Sequence, residues 1–144
     1  MNKILVLHGA NLNLLGKRET QIYGNKTLAQ IDQALQELGR KHDLIVECQQ
    51  FNGEGELVTA LHKADDWAVG VLFNPGGYTH TSVVLRDAVA AISIPVIEIH
   101  FSNTQAREDF RKHSLISPVC KGTIAGFGWY SYILGLNAIK HLLG

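Results

Sequence analysis

The sequence predicts an α/β protein built on a doubly wound parallel sheet, and two observations carry that prediction. Short apolar runs, several of them continuous as in strands covered on both faces, alternate along the chain with segments of helical periodicity. Polar segments rich in Gly, Asn, Ser and His directly follow the runs Lys3 to His8, Val69 to Phe73 and Val96 to Ile99. If those runs are parallel neighbours, the polar segments meet at the carboxyl edge of the sheet, where open α/β sheets bind ligands.

Taken in order, Ile4 to Leu7 forms the first strand. Thr27 with Gln30 makes a capping-box start for a helix whose stripe is Leu28, Ile31, Leu35 and Leu38, with Gly39 as its end. Leu44 to Val46 is a second strand, and Leu57, Val58, Leu61 and Ala64 mark a second helix. Val69 to Phe73 is a strand, followed by a helix carrying Val84, Leu85, Ala88, Val89 and Ile92 ahead of the break at Pro95. Val96 to Ile99 and Thr123 to Phe127 are the last strands. A final helix from about Tyr130 carries Ile133, Leu134, Leu136, Ile139 and Leu142. Five strands and about five helices in this order, joined by right-handed crossovers, lead to a flavodoxin-like arrangement. Residues 1–144 read as a single catalytic domain with no internal repeat, linker or low-complexity segment.

Composition narrows the function classes. A chain of 144 residues with 46% hydrophobic content buries a sizeable core without metal or disulfide staples. Thirteen basic residues balance 13 acidic ones, so no electrostatic footprint points to nucleic acid or an anionic membrane. The expected partner is a small molecule or another copy of the chain. Cys48 and Cys120 are too few and too far apart for a zinc ribbon or a CxxC redox pair, which suits a reducing compartment. The N-terminus lacks a signal-peptide core and no apolar run approaches membrane-spanning length, so a cytoplasmic location is expected.

The most informative stretch is the glycine-bracketed loop Gly9 to Gly24, which carries Arg18 and Tyr23. A lone loop tyrosine ordinarily covers an apolar patch, but an arginine five residues away suggests chemistry. With an ordinary pKa of about 10, tyrosine is a poor base near neutrality. Lowering that value by about three units takes roughly 4 kcal/mol of preferential phenolate stabilisation, which a fixed, partly desolvated guanidinium is suited to provide. His100 stands at a strand's carboxyl end, ahead of Ser102 and Asn103. Glu98, two residues earlier on the same strand face, is placed to orient its imidazole. A satisfied core histidine is the plainer reading.

Asn74 precedes Pro75-Gly76-Gly77, a turn that lets the backbone approach a ligand and that equally serves as a plain strand-to-helix connection. His80, Thr81 and Ser82 stand at the next helix start, where they either cap it or receive an anion. His8, His80 and His100 match no ligand spacing, which argues against a metal site. Gly126-Phe127-Gly128 is half a dinucleotide fingerprint and leaves open a phosphate- or nucleotide-binding module; a purely structural assembly protein is a further alternative.

At these residues the chain resembles the type II 3-dehydroquinate dehydratases, over about residues 4–142. The resemblance rests on Asn11 to Glu19 with Tyr23-Gly24, on Asn74 to Ala88, on Glu98 to Asn103, and on Arg107 to Ser114. His8 and Ala10 stand where the family usually has Asn and Pro, Thr20 replaces a proline, and Phe51 and Gly53 replace the usual serine and histidine around Asn52. The resemblance implies a flavodoxin-like subunit, trimers assembled into a homododecamer, and no metal or organic cofactor. It also implies elimination of water from 3-dehydroquinate through an enolate, a step of the shikimate route. By position, Tyr23 would be the general base, His100 the general acid, Arg18 the group that holds Tyr23 as phenolate, and Asn11 the holder of a water at the enolate oxygen. The substrate carboxylate would lie against Asn74, the backbone N–H groups of Phe101 and Ser102, and the Ser102 hydroxyl. His80, Arg111 and Asp87 from a neighbouring subunit would hold the ring hydroxyls.

Overall fold

A computed structural model of the chain describes residues 1–17 and 19–144. Its strands β1 (Asn2–His8), β2 (Leu44–Gln50), β3 (Gly70–Asn74), β4 (Val96–His100) and β5 (Gly122–Ala125) form one parallel sheet in the order β2-β1-β3-β4-β5. That is the flavodoxin-like order the βα alternation predicts. The winding reverses between β1 and β3, so the crevice at their carboxyl ends is the expected ligand site.

The helices are the short α1 (Thr20–Tyr23), then α2 (Leu28–Lys41), α3 (Glu54–Trp67), α4 (Val83–Ala91) and α5 (Tyr130–Leu143). Side chains alternate across each strand, and the two resulting faces have separate cores. Ile4, Val6, Leu72, Ile97 and Ile99 pack against α2 and α5 through Ile31, Leu35, Tyr132, Leu136 and Ile139. Leu5, Leu7, Val71 and Phe73 pack against α3 and α4 through Leu57, Leu61, Leu85 and Val89. β1 and β3 lie between both layers, which is why their runs are continuously apolar.

The capping box at Thr27 forms as its spacing requires: Gln30 N–H donates to Thr27 Oγ1 at 3.2 Å, and the Gln30 side chain accepts from the Thr27 N–H at 2.9 Å. Gly39 does not end that helix. It is a buried position where a Cβ would sit 2.6 Å from Val46 Cγ2, so glycine serves the approach of α2 to β2, and the helix runs on to Lys41. The chain reverses instead at Asp43, whose φ is +58°. The last strand is shorter than Thr123 to Phe127, because Gly126, at φ +101°, turns the chain away after Ala125. Conversely, β2 continues past Val46 to Gln50 as a half-buried polar edge strand that apolar patterning does not reveal.

Candidate active site

Three carboxyl-end loops converge on one cleft. β1 is followed by Asn11, Leu12 and Leu15, with Tyr23 beyond them; β3 ends at Asn74 and leads into Gly76, Gly77 and His80. β4 ends at His100 and leads into Phe101, Ser102, Arg107 and Arg111. The loops are fixed by backbone bonds close to the strands. The Gly9 N–H donates to the Asn74 carbonyl at 2.7 Å, and a Cβ on residue 9 would lie 2.5 Å from the Pro75 oxygen, so only glycine fits that crossing. Asn11 adopts φ +70°, a left-handed conformation that asparagine tolerates, and its N–H donates to Asn52 Oδ1 at 3.0 Å.

His100 is buried, and its Nε2 is engaged by the carboxylate of Glu98, which is 1% exposed. Glu98 also accepts from the Ser117 hydroxyl at 2.8 Å and the Ser114 hydroxyl at 3.1 Å. Burial raises the Glu98 carboxyl, but the hydrogen bond and charge of His100, joined by the two serine hydroxyls, outweigh it and hold the carboxyl below the ordinary range. With Nε2 occupied, Nδ1 is the imidazole nitrogen left to exchange a proton with a ligand.

Tyr23 is half-buried against Phe101, with ring centroids 6.0 Å apart. Its hydroxyl oxygen accepts a hydrogen bond from Arg107 Nη1 at 2.9 Å, and that guanidinium also lies 5.6 Å from the ring centroid. Arg18, the arginine expected beside Tyr23, lies outside the described residues. Nothing in the sequence singles out Arg107. It is 84 residues from Tyr23 and sits in an irregular segment between short 3₁₀ turns, so no periodicity announces it. The available signal was its place in a cation-rich segment directly after the His100 loop.

Also lining the cleft, His80 Nδ1 donates to the His113 carbonyl at 2.7 Å, which leaves Nε2 for a ligand. Arg111 Nε pairs with Glu108 Oε2 at 2.8 Å. Ser82 caps α4 by accepting from the Leu85 N–H at 2.9 Å, so of its two sequence readings capping is the one realised. Asp87 lies exposed on α4 and does not line this cleft within the chain. Two donors of the Gly126-Phe127-Gly128 turn are spent internally: Phe127 N–H on Ser131 Oγ at 3.2 Å, and Gly128 N–H on the Phe101 carbonyl at 2.9 Å.

Among the described residues, the group with metal-ligating atoms close together is His8, Asp32 and Cys48, not His8, His80 and His100. Its geometry is that of hydrogen bonding. His8 Nε2 and Asp32 Oδ1 are 2.7 Å apart, whereas two nitrogen or oxygen ligands on a tetrahedral zinc stand roughly 3.3 Å apart. Burial, then the Asp32 charge, pushes the Cys48 thiol well up, away from the thiolate a metal needs.

Residues 2–140 match the family described as dehydroquinase class II. The chain belongs to that family. The 3-dehydroquinate dehydratase of Rhizobium etli (strain CIAT 652) is 56% identical over 139 residues, covering 96% of each chain. That of Pelotomaculum thermopropionicum is 56% identical over 142 residues, covering 99% of each. Among solved structures, the type II dehydroquinase of Propionibacterium acnes superposes with a TM-score of 0.95 at 40% identity, covering 98% of this chain and 97% of that one. In this dehydroquinase fold the cleft occupies the β1/β3 switch point, and the residues named by resemblance, Arg18 and Asp87 apart, are eight residues of the cleft wall, with Glu98 behind His100.

Proposed function

We propose that this cleft eliminates water from 3-dehydroquinate to give 3-dehydroshikimate, with Tyr23 as general base and His100 as general acid. The observation that carries the reading is the presence in one cleft of a tyrosine oxygen that accepts from a guanidinium and of a carboxylate-held histidine. Loss of water from a β-hydroxy ketone needs those two functions. A base removes the proton from the carbon alpha to the carbonyl, charge on the resulting enolate is stabilised, and an acid protonates the departing hydroxyl. Arg107 sets its positive charge against the Tyr23 oxygen that is to take the proton, and Arg18 is assigned the same part. Glu98 orients His100 and compensates its positive charge. Asn11, beside the cleft, holds a water against the enolate oxygen, and Asn74 with the Ser102 hydroxyl and the N–H groups of Phe101 and Ser102 receives the substrate carboxylate. His80 and Arg111 hold ring hydroxyls. Each proton-transfer group contributes roughly two to four powers of ten in rate.

Asp87 acts from a neighbouring subunit in this reading. It is exposed on α4 beside Val83 and Val84, which are 57% and 53% exposed and give that helix an uncovered apolar start. A homododecamer, built as a tetramer of trimers, is the assembly proposed. Cytoplasmic residence fits the two free, half-buried cysteines, and no helix among the described residues is long and apolar enough to cross a membrane. The test is Tyr23→Phe, which retains the ring and removes the proton acceptor. Turnover, followed by the absorbance of the conjugated enone product, should fall by at least about two powers of ten while substrate binding stays near wild type. Turnover close to wild type would dismiss Tyr23 as the base.

A further inference from the structure

Gln50 and Asn52, at the end of β2, stand outside the cleft wall, yet they are tied to the β1 loop that forms part of it. The β1/β2 ladder pairs His8 with Gln50, and beyond that pair the Phe51 N–H donates to the His8 carbonyl at 3.1 Å. The Gln50 side chain carries the contact one step further. Its Nε2 donates to the Gly9 carbonyl at 3.1 Å and to Asn52 Oδ1 at 3.0 Å. Asn52 Oδ1 also accepts from the Asn11 N–H at 3.0 Å. From the β3 side, the Tyr78 hydroxyl donates to the Asn52 carbonyl at 2.8 Å.

Backbone groups fix the polarity of each link. The Gly9 carbonyl can only accept, so Gln50 turns Nε2 toward it; the Asn11 N–H can only donate, so Asn52 turns Oδ1 toward it. The Asn52 carbonyl likewise accepts, so Tyr78 is its donor. These bonds converge on a strained residue. Asn11 stands at φ +70° and ψ −3°, a left-handed conformation that persists in a non-glycine residue where the surroundings hold it. Asn52 holds its N–H, and the Leu14 N–H donates to its carbonyl at 3.0 Å. The Asn11 side chain makes no capping bond and lines the cleft.

We propose that Asn52, braced by Gln50 and Tyr78, is a positioning residue that holds Asn11 in this conformation and so sets the place of its amide in the cleft. That this amide works by holding a water at the enolate oxygen rests on the function proposed above. The enolate arises during the reaction and not on binding, so the brace acts on kcat and leaves KM nearly alone.

Asn52 is exposed, so Asn52→Ala should fold. It should lower kcat about tenfold while KM for 3-dehydroquinate stays within about twofold. Asn52→Asp keeps an acceptor oxygen for both donors and should stay within about threefold of wild type. Asn11→Gly keeps the left-handed backbone and removes the amide; in that background Asn52→Ala should cost nothing further. Loss by the same factor in both backgrounds, a kcat in Asn52→Asp as low as in Asn52→Ala, or a change confined to KM overturns the proposal. A second measurement needs no substrate. Amide hydrogen exchange at Asn11 and Leu14 should quicken about tenfold in Asn52→Ala and stay slow in Asn52→Asp. Unchanged exchange in Asn52→Ala overturns the brace. Failure of wild-type protein to turn over 3-dehydroquinate would strike the proposed function instead and leave the exchange result to decide whether Asn52 holds Asn11.

Discussion

Glu98 decides which nitrogen of His100 is left for the cleft, and it does so from inside the core, where a carboxylate is costly unless fully hydrogen-bonded. Its dependence on pH follows from the direction of its shift. The native carboxyl titrates below its ordinary value of 4.5, so the unfolded state binds the proton more readily. The stabilisation is complete above that ordinary value and is lost as the pH falls through the lower native one. Wild-type protein should therefore lose stability in that acid range faster than Glu98→Gln does, as read by denaturant midpoints at several pH values; parallel curves would contradict the assignment. His100→Ala should lose turnover and regain part of it when small carboxylic or imidazole acids are added to the assay. Residue types and strand ends made Tyr23, Asn74, Glu98 and His100 legible in the sequence. Arg107 and the His8–Tyr132 contact were not, because partners 84 and 124 residues apart meet only through the sheet order.

At the scale of elements, the sequence exposed the helices and strands whose signals are local and hid those that depend on neighbours. The capping box at Thr27 and the apolar runs of β1, β3 and β4 are local, and they appear as expected. Gly39 looked like a helix end because glycine usually is one; its actual role, letting α2 approach Val46, is visible only once β2 is in place. Gly9 shows the same dependence at the active edge. An added Cβ would meet backbone atoms of Asn74 and Pro75 at 2.5 to 2.8 Å, which cannot move aside as a flexible side chain would. Gly9→Ala should thus push the β1 and β3 loops apart, costing on the order of 1–3 kcal/mol of stability and a larger share of activity than of fold. A variant with wild-type melting temperature and turnover would mean that the crossing tolerates the methyl group.

At the scale of the whole molecule, the proposed assembly is what would bring Asp87 to a cleft. Asp87 sits outside the cleft of its own chain, so activity should depend on assembly. Chains carrying Asp87→Ala and chains carrying Tyr23→Phe, each nearly inactive alone, should form some competent sites when co-assembled, one chain supplying Tyr23 and its neighbour Asp87. Co-assemblies verified by mass that recover nothing beyond the separate variants would place Asp87 within its own subunit or outside the mechanism. The central claim, that this dehydroquinase-family cleft works by an enolate with tyrosine and histidine, faces its most direct test in one assay. Wild-type protein is given 3-dehydroquinate with borohydride and a chelator present, and the enone absorbance is followed. Sustained turnover with an unchanged protein mass is the predicted result. Irreversible inactivation with mass added at a lysine would reveal an imine intermediate and contradict it.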